Sequence, residues 1–270
     1  MRIVALLTVR NEELYLERCV RELRRQGVEV CVIDNDSSDA TREIAHGLLG
    51  NGVFRVERQQ YEGFFELEKQ CRFQEHLSSE IAADWFLHTD ADEVRQSDQW
   101  HRETLADAVA AIDAEGYNAV NFNEFVFVPT VPGEDFSGLD YVRDMRRYYH
   151  FMPRPLHRVN LWKKAATSTP DLAGSGGHRV EFPGRNVSPR SLTMRHYIAL
   201  SEGHAYRKYR DGRRYSPAEI SGRGWHVERE KWRNFTFRFP SDSETKIVDN
   251  TAPLDTSDPK SRHLFWETAA

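Results

Sequence analysis

Residues 84–94, Asp-Trp-Phe-Leu-His-Thr-Asp-Ala-Asp-Glu-Val, decide the fold of this chain. The apolar run Trp-Phe-Leu is typical of a strand buried on both faces, and it is soon followed by three acids, Asp90, Asp92 and Glu93. In open α/β sheets, ligands bind beyond the carboxyl ends of the strands. Two carboxylates one residue apart can hold a hard divalent cation there, facing a phosphorylated substrate. The alternative is a polar turn that ends the strand and caps a helix predicted over residues 96–114.

The composition indicates a globular protein with a sizeable core. Of the 270 residues, 39% are hydrophobic and 29% charged, and no run approaches the ~18 apolar residues of a membrane helix. The apolar run after Met1 and Arg2 is too short for a signal peptide, so we expect a cytoplasmic protein. Three scattered cysteines favour reduced thiols over disulfides or a zinc site. The net charge of −5 gives no general indication of nucleic-acid binding.

Strands and helices are predicted in alternation before Trp85. The pattern predicts strands over residues 3–8, 28–33 and 53–56, and helices over residues 14–26, 40–49 and 64–77. Asn11 is expected to cap the first helix and Gly27 to close it. This order indicates an α/β fold with a parallel sheet and helices on its faces.

The strand ends of such a sheet predict where a ligand binds. Polar residues 8–12, 34–39 and 90–93 follow the first, second and fourth strands, so all three should converge on one crevice. No glycine-rich dinucleotide motif or P-loop follows any of these strands. Something other than glycine therefore has to hold a phosphate, and a metal ion on Asp90 and Asp92 would do so.

Three motifs stand in order within residues 1–94. They are Val-Arg-Asn-Glu-Glu after the first strand, Val-Ile-Asp-Asn-Asp-Ser-Ser-Asp-Ala-Thr at the second, and Phe-Leu-His-Thr-Asp-Ala-Asp-Glu at the fourth. Together they resemble the family 2 type nucleotide-sugar glycosyltransferases of the GT-A fold. The resemblance implies a Rossmann-like, mostly parallel central sheet with helices on both faces and a C-terminal extension. It also implies a UDP, GDP or dTDP sugar as donor, a glycan or small molecule as acceptor, and Mn²⁺ or Mg²⁺ as cofactor.

The resemblance also implies roles for single residues. The nucleotide pocket would be lined by Thr8, Arg10, Glu12, Asp34 and Arg72. Asp34 would hydrogen-bond the base or ribose, and the helix of Arg72 would present that arginine to the donor. Asp90 and Asp92 would meet the metal and the diphosphate. The chain departs from the common pattern at residues 34–36, which are Asp-Asn-Asp where Asp-Asp-Gly is frequent.

The second half of the chain carries the candidates for the catalytic base. A strand predicted over residues 118–128 contains one acid, Glu124, and an ionisable group in an apolar run is costly unless it is paired or borders a polar cleft. The alternative is an outward-facing residue at a sheet edge. Asp135, in the following loop, is the second candidate. Since this strand follows the helix after the acidic strand, we expect its end beside Asp90 and Asp92.

Two histidines and a basic segment complete the candidates. The resemblance implies a third metal ligand from the C-terminal half, either His178 or His196, whereas a lone histidine is more often a hydrogen-bonded structural residue. Lys208 lies among the arginines and tyrosines of residues 206–215, a pattern that can grip a diphosphate or stack on sugars. No nucleic-acid recognition motif accompanies it, so no nucleic-acid partner is expected.

The sequence predicts one GT-A domain over residues 1–240, with a nucleotide-binding half of about 1–95 and an acceptor half of about 96–240. Residues 241–270 are predicted to be a C-terminal tail. The predicted function is a metal-dependent glycosyltransferase, with inversion implied by the family alone. The alternatives are a nucleotidyltransferase, which usually shows a glycine-rich basic loop after the first strand, and a catalytically silent nucleotide- or carbohydrate-binding protein on the same fold.

Overall fold

The computed structural model describes residues 1–225 and 235–268, and the chain divides into two compact units. Unit 1 comprises residues 1–61, 67–123 and 155–194. Unit 2 comprises residues 62–66, 124–154 and 195 to the C-terminus. The domain boundary at residue 240 remains a prediction, and parts of both predicted segments, residues 226–234, 269 and 270, lie outside the described residues.

The elements follow one another in an α/β order in the first half of the chain. The strands are β1 (Ile3–Val9), β2 (Val28–Asp34), β3 (Val53–Arg58), β4 (Trp85–Thr89), β5 (Glu93–Gln96), β6 (Ala119–Phe127), β7 (Arg147–Phe151), β8 (Val159–Lys163), β9 (Leu192–Tyr197), β10 (Phe235–Phe237), β11 (Lys246–Ile247) and β12 (Trp266–Thr268). The α-helices are α1 (Leu16–Arg25), α2 (Thr41–Gly47), α3 (Leu67–Glu80), α4 (Leu105–Ala114), α5 (Tyr141–Asp144), α6 (Glu202–Ala205) and α7 (Pro217–Arg223). A π-helical turn spans Tyr206–Asp211.

The sheet of unit 1 is parallel in its central part. Strands β3, β2, β1 and β4 lie side by side in that order and are all parallel. Beyond β4, strand β8 is antiparallel to β4 and to the beginning of β6. The predicted α/β fold class is confirmed. Strand β8, which comes later in the chain, lies between β4 and β6, so β6 is not the direct neighbour of the acidic strand. The expectation that the end of β6 lies beside Asp90 and Asp92 stays a prediction.

Apolar strands explain why the core of unit 1 lies around this sheet. Residues Ala5, Leu6 and Leu7 of β1 are fully buried, as expected for a strand covered on both faces. Gly27 ends the first helix region as predicted, with φ +79°, and a side chain there would place its Cβ 2.7 Å from the Cβ of Ala106.

Two local expectations differ from the structure. Asn11 does not cap α1; it has φ +56°, and its side-chain oxygen accepts a hydrogen bond from the backbone of Ser38 at 2.8 Å. The helix predicted over residues 96–114 begins only at Leu105, because Thr104 and Asp107 form a reciprocal capping box at that point. The preceding residues Glu93–Gln96 form β5 instead.

Unit 2 has its own aromatic core. The second part of β6 pairs antiparallel with β7, which also pairs with β11, and β10 pairs with β12. Phe265 is fully buried and packs with Tyr149 and Phe237, so residues after 240 contribute to this core. Among the described residues, no helix combines the length and apolarity that crossing a bilayer requires.

Candidate functional site

The carboxyl ends of β1, β2 and β4 lie at one edge of the sheet of unit 1. Val9 of β1 is opposite Asp34 of β2, and Leu7 is opposite Thr89 of β4. Because the three strands are parallel, the polar residues that follow them emerge on the same side. This edge is where the sequence predicts the donor pocket.

Hydrogen bonds join the loops after β1 and β2. The backbone N–H of Glu12 donates to the hydroxyl of Thr41 at 2.8 Å. The Arg10 guanidinium donates to the carbonyl oxygen of Asn35 at 2.7 Å and lies 3.4 Å from the centroid of the Tyr61 ring. Arg10 is therefore held flat against an aromatic ring beside the β2 loop.

Asp34 is buried at the end of β2 with one oxygen unsatisfied. Its side chain accepts a hydrogen bond from the backbone of Ser37 at 3.2 Å through Oδ1. Its Oδ2 has no hydrogen-bond partner in the described part of the chain, and the residue is only 1% exposed. A buried acceptor without a donor costs about 1–3 kcal/mol, so a ligand N–H or O–H would recover that free energy.

Helix α3 turns two glutamines towards this edge. Gln70 donates to the Asn35 side chain at 3.3 Å, and Gln74 donates to the Thr8 hydroxyl at 2.8 Å. These two residues are four apart and share a helix face, whereas a residue between them points elsewhere. Arg72 forms an ion pair with Glu75 at 2.9 Å. Its predicted role at the donor stays a prediction, and the i, i+4 spacing of the two glutamines was the indication available in the sequence.

The acidic turn directly follows β4. Asp90 is exposed, whereas Asp92 is 5% exposed and Glu93 is 2% exposed. The Glu93 carboxylate accepts hydrogen bonds from the backbone of Asp90 at 3.0 Å and from the Thr89 hydroxyl at 3.1 Å. Glu93 thus holds the backbone of the turn, Asp90 is the acid of the turn that is open to solvent, and Asp92 is buried.

Arg95 and Asn160 extend these contacts to the segment that carries His178. Arg95 lies 2.5 Å from Glu93 and donates to the Asn160 side chain at 3.3 Å. Asn160 in turn donates to the backbone carbonyls of Gly177 at 2.5 Å and His178 at 3.2 Å. The His178 side chain is exposed. Sequence reasoning missed Arg95, although its position two residues from Glu93 in a strand puts both side chains on one face.

A second hydrogen-bonded chain passes through His88 of β4. Its Nδ1 lies 2.6 Å from the side-chain oxygen of Gln74. The side-chain nitrogen of Gln74 donates to the Thr8 hydroxyl. Because an amide oxygen only accepts, Nδ1 carries the proton. Burial lowers the pKa of His88 from 6.5 to about 4, so the ring is neutral at physiological pH. A Cβ on Gly177, which has φ +78°, would lie 2.6 Å from His88 Nε2.

The donor set at the acidic turn suits a hard divalent cation. Magnesium-type ions are commonly held by one or two carboxylates together with substrate phosphates. Burial, and then the negative charges of Glu93 and Asp92, raise the pKa of the neighbouring Cys19 thiol, whereas the charge of Arg95 lowers it. Within residues 1–225 and 235–268, no group of three or more His, Cys, Asp or Glu residues is arranged to hold a metal ion. Asp90 and Asp92 are residues of the type that could supply the one or two carboxylates of such a site.

The candidate residues of unit 2 lie in different environments. Glu124 is fully buried, and its Oε1 lies 2.6 Å from Nδ1 of His196. Glu124 is therefore not the outward-facing residue considered as an alternative. Any metal coordination by His196 would have to use Nε2. Asp135 is exposed, and the neighbouring Ser137, whose backbone N–H donates to the Asp135 carboxylate at 2.9 Å, lowers the pKa of that carboxyl. Lys208 lies in the π-helical turn, 5.9 Å from the ring of Tyr209.

Part of the sequence matches a known family, and the fold is similar to that of solved structures. Residues 5–67 match the family model for glycosyl transferase family 2. No curated protein gave a significant sequence match. TarS of S. aureus, residues 1–349 in complex with UDP-GlcNAc, is 16% identical, with a TM-score of 0.50 over 82% of this chain and 64% of that chain.

Two further matching structures have lower TM-scores. A second TarS structure is 16% identical, with a TM-score of 0.47 over 74% of this chain and 37% of that chain. Glucosyl-3-phosphoglycerate synthase of Mycobacterium tuberculosis, in complex with Mn²⁺, UDP and glucosyl-3-phosphoglycerate, is 16% identical, with a TM-score of 0.37 over 65% of this chain and 62% of that chain. In three TarS structures, this chain covers 37%, 60% and 64% of the TarS chain, which is less than two thirds of its length in each.

These comparisons confirm the resemblance predicted from the three motifs. The matched residues contain most of β1, all of β2 and β3, and the two loops that follow β1 and β2. Residues 5–67 of this chain match glycosyl transferase family 2, and the chain has an α/β fold of the GT-A type.

Proposed function

We propose that this chain is a glycosyltransferase that moves a sugar from a nucleotide-sugar donor to an acceptor hydroxyl. The observation that carries the proposal is the convergence of three polar strand ends at one edge of the sheet, two within the matched family sequence and the third bearing Asp90 and Asp92. TarS, which shares the fold, was solved with UDP-GlcNAc, so UDP sugars are the first donors to test.

In this proposal the residues of unit 1 bind the donor. Asp34 offers its unsatisfied oxygen to the base or ribose, while Thr8, Arg10 and Glu12 line the same pocket. Arg72 remains a proposed donor contact. Asp90 and Asp92 would hold Mn²⁺ or Mg²⁺, which when bound offsets the negative charge that develops on the leaving diphosphate. His178 or His196 is the proposed additional ligand.

Transfer with inversion needs a base for the acceptor hydroxyl. Glu124, hydrogen-bonded to His196, is the first candidate for this role, and Asp135 is the second. The lowered pKa of Asp135 makes it a weaker proton acceptor than an ordinary carboxylate. Lys208 is a further proposed donor contact. The acceptor is a glycan or a small molecule with a free hydroxyl.

The test is incubation of the purified chain with UDP, GDP and dTDP sugars in the presence of Mn²⁺ or Mg²⁺. A glycosyltransferase releases nucleoside diphosphate slowly even by hydrolysis, and faster when a suitable acceptor is added. Saturable binding without release would indicate a silent binding protein. Release of pyrophosphate from a nucleoside triphosphate and a sugar phosphate would indicate a nucleotidyltransferase. Either result would overturn the proposal.

A further inference from the structure

A buried ion pair lies behind the acidic turn. The side chains of Glu93 and Arg95 are 2% and 1% exposed, and Arg95 Nη2 lies 2.5 Å from Glu93 Oε2. Taking two charges out of water costs several kcal/mol per ion, so a buried pair is weak evidence for stability by itself. The hydrogen bonds of this ion pair indicate which segments of the backbone it holds in place.

The Glu93 end of the pair holds the turn. Its Oε2 receives the backbone N–H of Asp90 and the hydroxyl of Thr89, so one carboxylate oxygen fixes the backbone from which the Asp90 side chain extends. Arg95 also donates to the Thr89 hydroxyl at 3.2 Å. Charge-assisted hydrogen bonds of this kind are stronger and more directional than neutral ones.

The Arg95 end reaches a different segment of unit 1. Arg95 Nη1 donates to Asn160 Oδ1, and Asn160 Nδ2 donates to the carbonyls of Gly177 and His178. Asn160 is fully buried in β8, next to β4. One uninterrupted chain of hydrogen bonds therefore runs from the backbone of Asp90 to the backbone of His178, about eighty-eight residues further along the sequence.

We propose that Arg95 and Asn160 are positioning residues that hold the acidic turn and the backbone of residues 177–178 in one fixed arrangement. This inference rests on the proposed function, since the turn is then the part of the donor site that meets the diphosphate. Groups aimed in advance at developing charge need no reorganisation during the reaction, and small misplacements are costly. Neither side chain has to touch the substrate to act in this way.

Asn160→Asp separates the two halves of this chain of hydrogen bonds. The new carboxylate still accepts from Arg95 but cannot donate to the carbonyls of Gly177 and His178. The matched control is Asn121→Asp, which replaces another buried asparagine on the adjacent strand β6, where the side chain donates to Ser191 at 3.0 Å. Arg95→Lys, which keeps the charge beside Glu93 but loses the planar fork that also reaches Asn160, provides a second variant if Asn160→Asp does not fold.

Three measurements test the proposal. Hydrogen exchange of the amides at 176–180 should quicken about tenfold in Asn160→Asp relative to Asn121→Asp at matched thermal stability. Calorimetric affinity for UDP with Mn²⁺ should fall about fivefold, and kcat about tenfold, with the loss partly recovered at high Mn²⁺. Equal exchange and equal affinity in the two variants would overturn the inference. An inactive parent chain that binds no nucleotide would instead overturn the proposed function, and the exchange measurement would still decide whether Asn160 holds the segment.

Discussion

Asp34 offers a test of the donor pocket at a single residue. The buried Oδ2 of Asp34 lacks a hydrogen-bond partner in the described part of the chain. An N–H or O–H group of a bound nucleotide would therefore form a charge-assisted hydrogen bond with it. We expect Asp34→Asn to weaken nucleotide binding by about 10- to 100-fold, with a smaller effect on kcat, because the contact exists in both ground and transition states. Calorimetric titration with UDP measures this.

Asp39→Asn is the control for that titration. Asp39 is an acid of the same loop, and its two oxygens accept from the backbones of Thr41 at 3.0 Å and Glu13 at 3.3 Å. Its replacement should cost stability without changing nucleotide affinity. Equal affinities of Asp34→Asn and the parent chain would remove Asp34 from the pocket.

Glu124 is the candidate base whose environment the structure describes most fully. If it accepts the acceptor's proton, Glu124→Gln should lower kcat by ~10²-fold or more and leave nucleotide affinity nearly unchanged. Steady-state kinetics with saturating donor measure the effect, and Asp135→Asn is the comparison. If only Asp135→Asn lowers kcat, Asp135 in the exposed loop is the base instead of Glu124.

His88 should make the metal-free protein less stable in mild acid. Its pKa is about 4 in the folded chain and 6.5 when exposed, so the unfolded chain binds the proton more readily between these values. The contribution of neutral His88 is fully present above pH 6.5 and is lost as the pH falls towards 4, which amounts to about 2 kcal/mol between pH 7.5 and 5. Urea unfolding in EDTA should show this loss in the parent chain and not in His88→Asn. Parallel curves for the two proteins would contradict the assignment.

At the scale of elements, Gly177 shows why β4 and the segment before β9 must meet without a side chain. Gly177→Ala combines an unfavourable φ of +78° with a Cβ 2.6 Å from His88, so we expect a loss of about 2–4 kcal/mol in the free energy of unfolding. Gly184→Ala isolates the backbone effect, because Gly184 has φ +76° and nothing within 4 Å of the added Cβ. Denaturant unfolding of both variants measures the difference.

The contact itself is tested by a second substitution. Adding His88→Ala to Gly177→Ala should raise the free energy of unfolding by at least about 1 kcal/mol relative to Gly177→Ala alone. The second substitution removes the clash but not the backbone strain. If the double-mutant cycle shows no coupling energy between residues 88 and 177, the segment around Gly177 moves away from β4 and does not press on it.

The order of elements in the first half was predictable because each strand there is a short apolar run ended by polar residues. The sequence did not reveal β5, since Glu-Val-Arg-Gln has no apolar alternation and forms a strand through pairing with β9, which comes much later in the chain. Nor did it reveal that β8 separates β4 from β6, because insertion of a later strand depends on tertiary packing. The same limit explains why Gln74, rather than Arg72, reaches Thr8.

At the scale of the whole molecule, ligand binding should raise the stability of the chain by mass action. A nucleotide at 100 times its dissociation constant adds about 2.7 kcal/mol, which for a chain of this size corresponds to about 5–10 °C in Tm. If Asp90 and Asp92 bind a divalent cation together with the diphosphate, this shift should appear with UDP and Mn²⁺ and be much smaller with UDP in EDTA.

Two variants separate the acidic turn from a general effect of charge. Asp92→Asn removes a carboxylate at the end of β4 and should abolish the metal-dependent part of the shift. Asp84→Asn removes an acid at the opposite end of the same strand, where its carboxylate accepts from the backbone of Arg2 at 2.6 Å, and should keep the full shift. Differential scanning fluorimetry of the three proteins measures this directly. An equal rise in Tm with UDP in Mn²⁺ and in EDTA would mean that the nucleotide binds without the cation, and the carboxylates of the turn would then need another role.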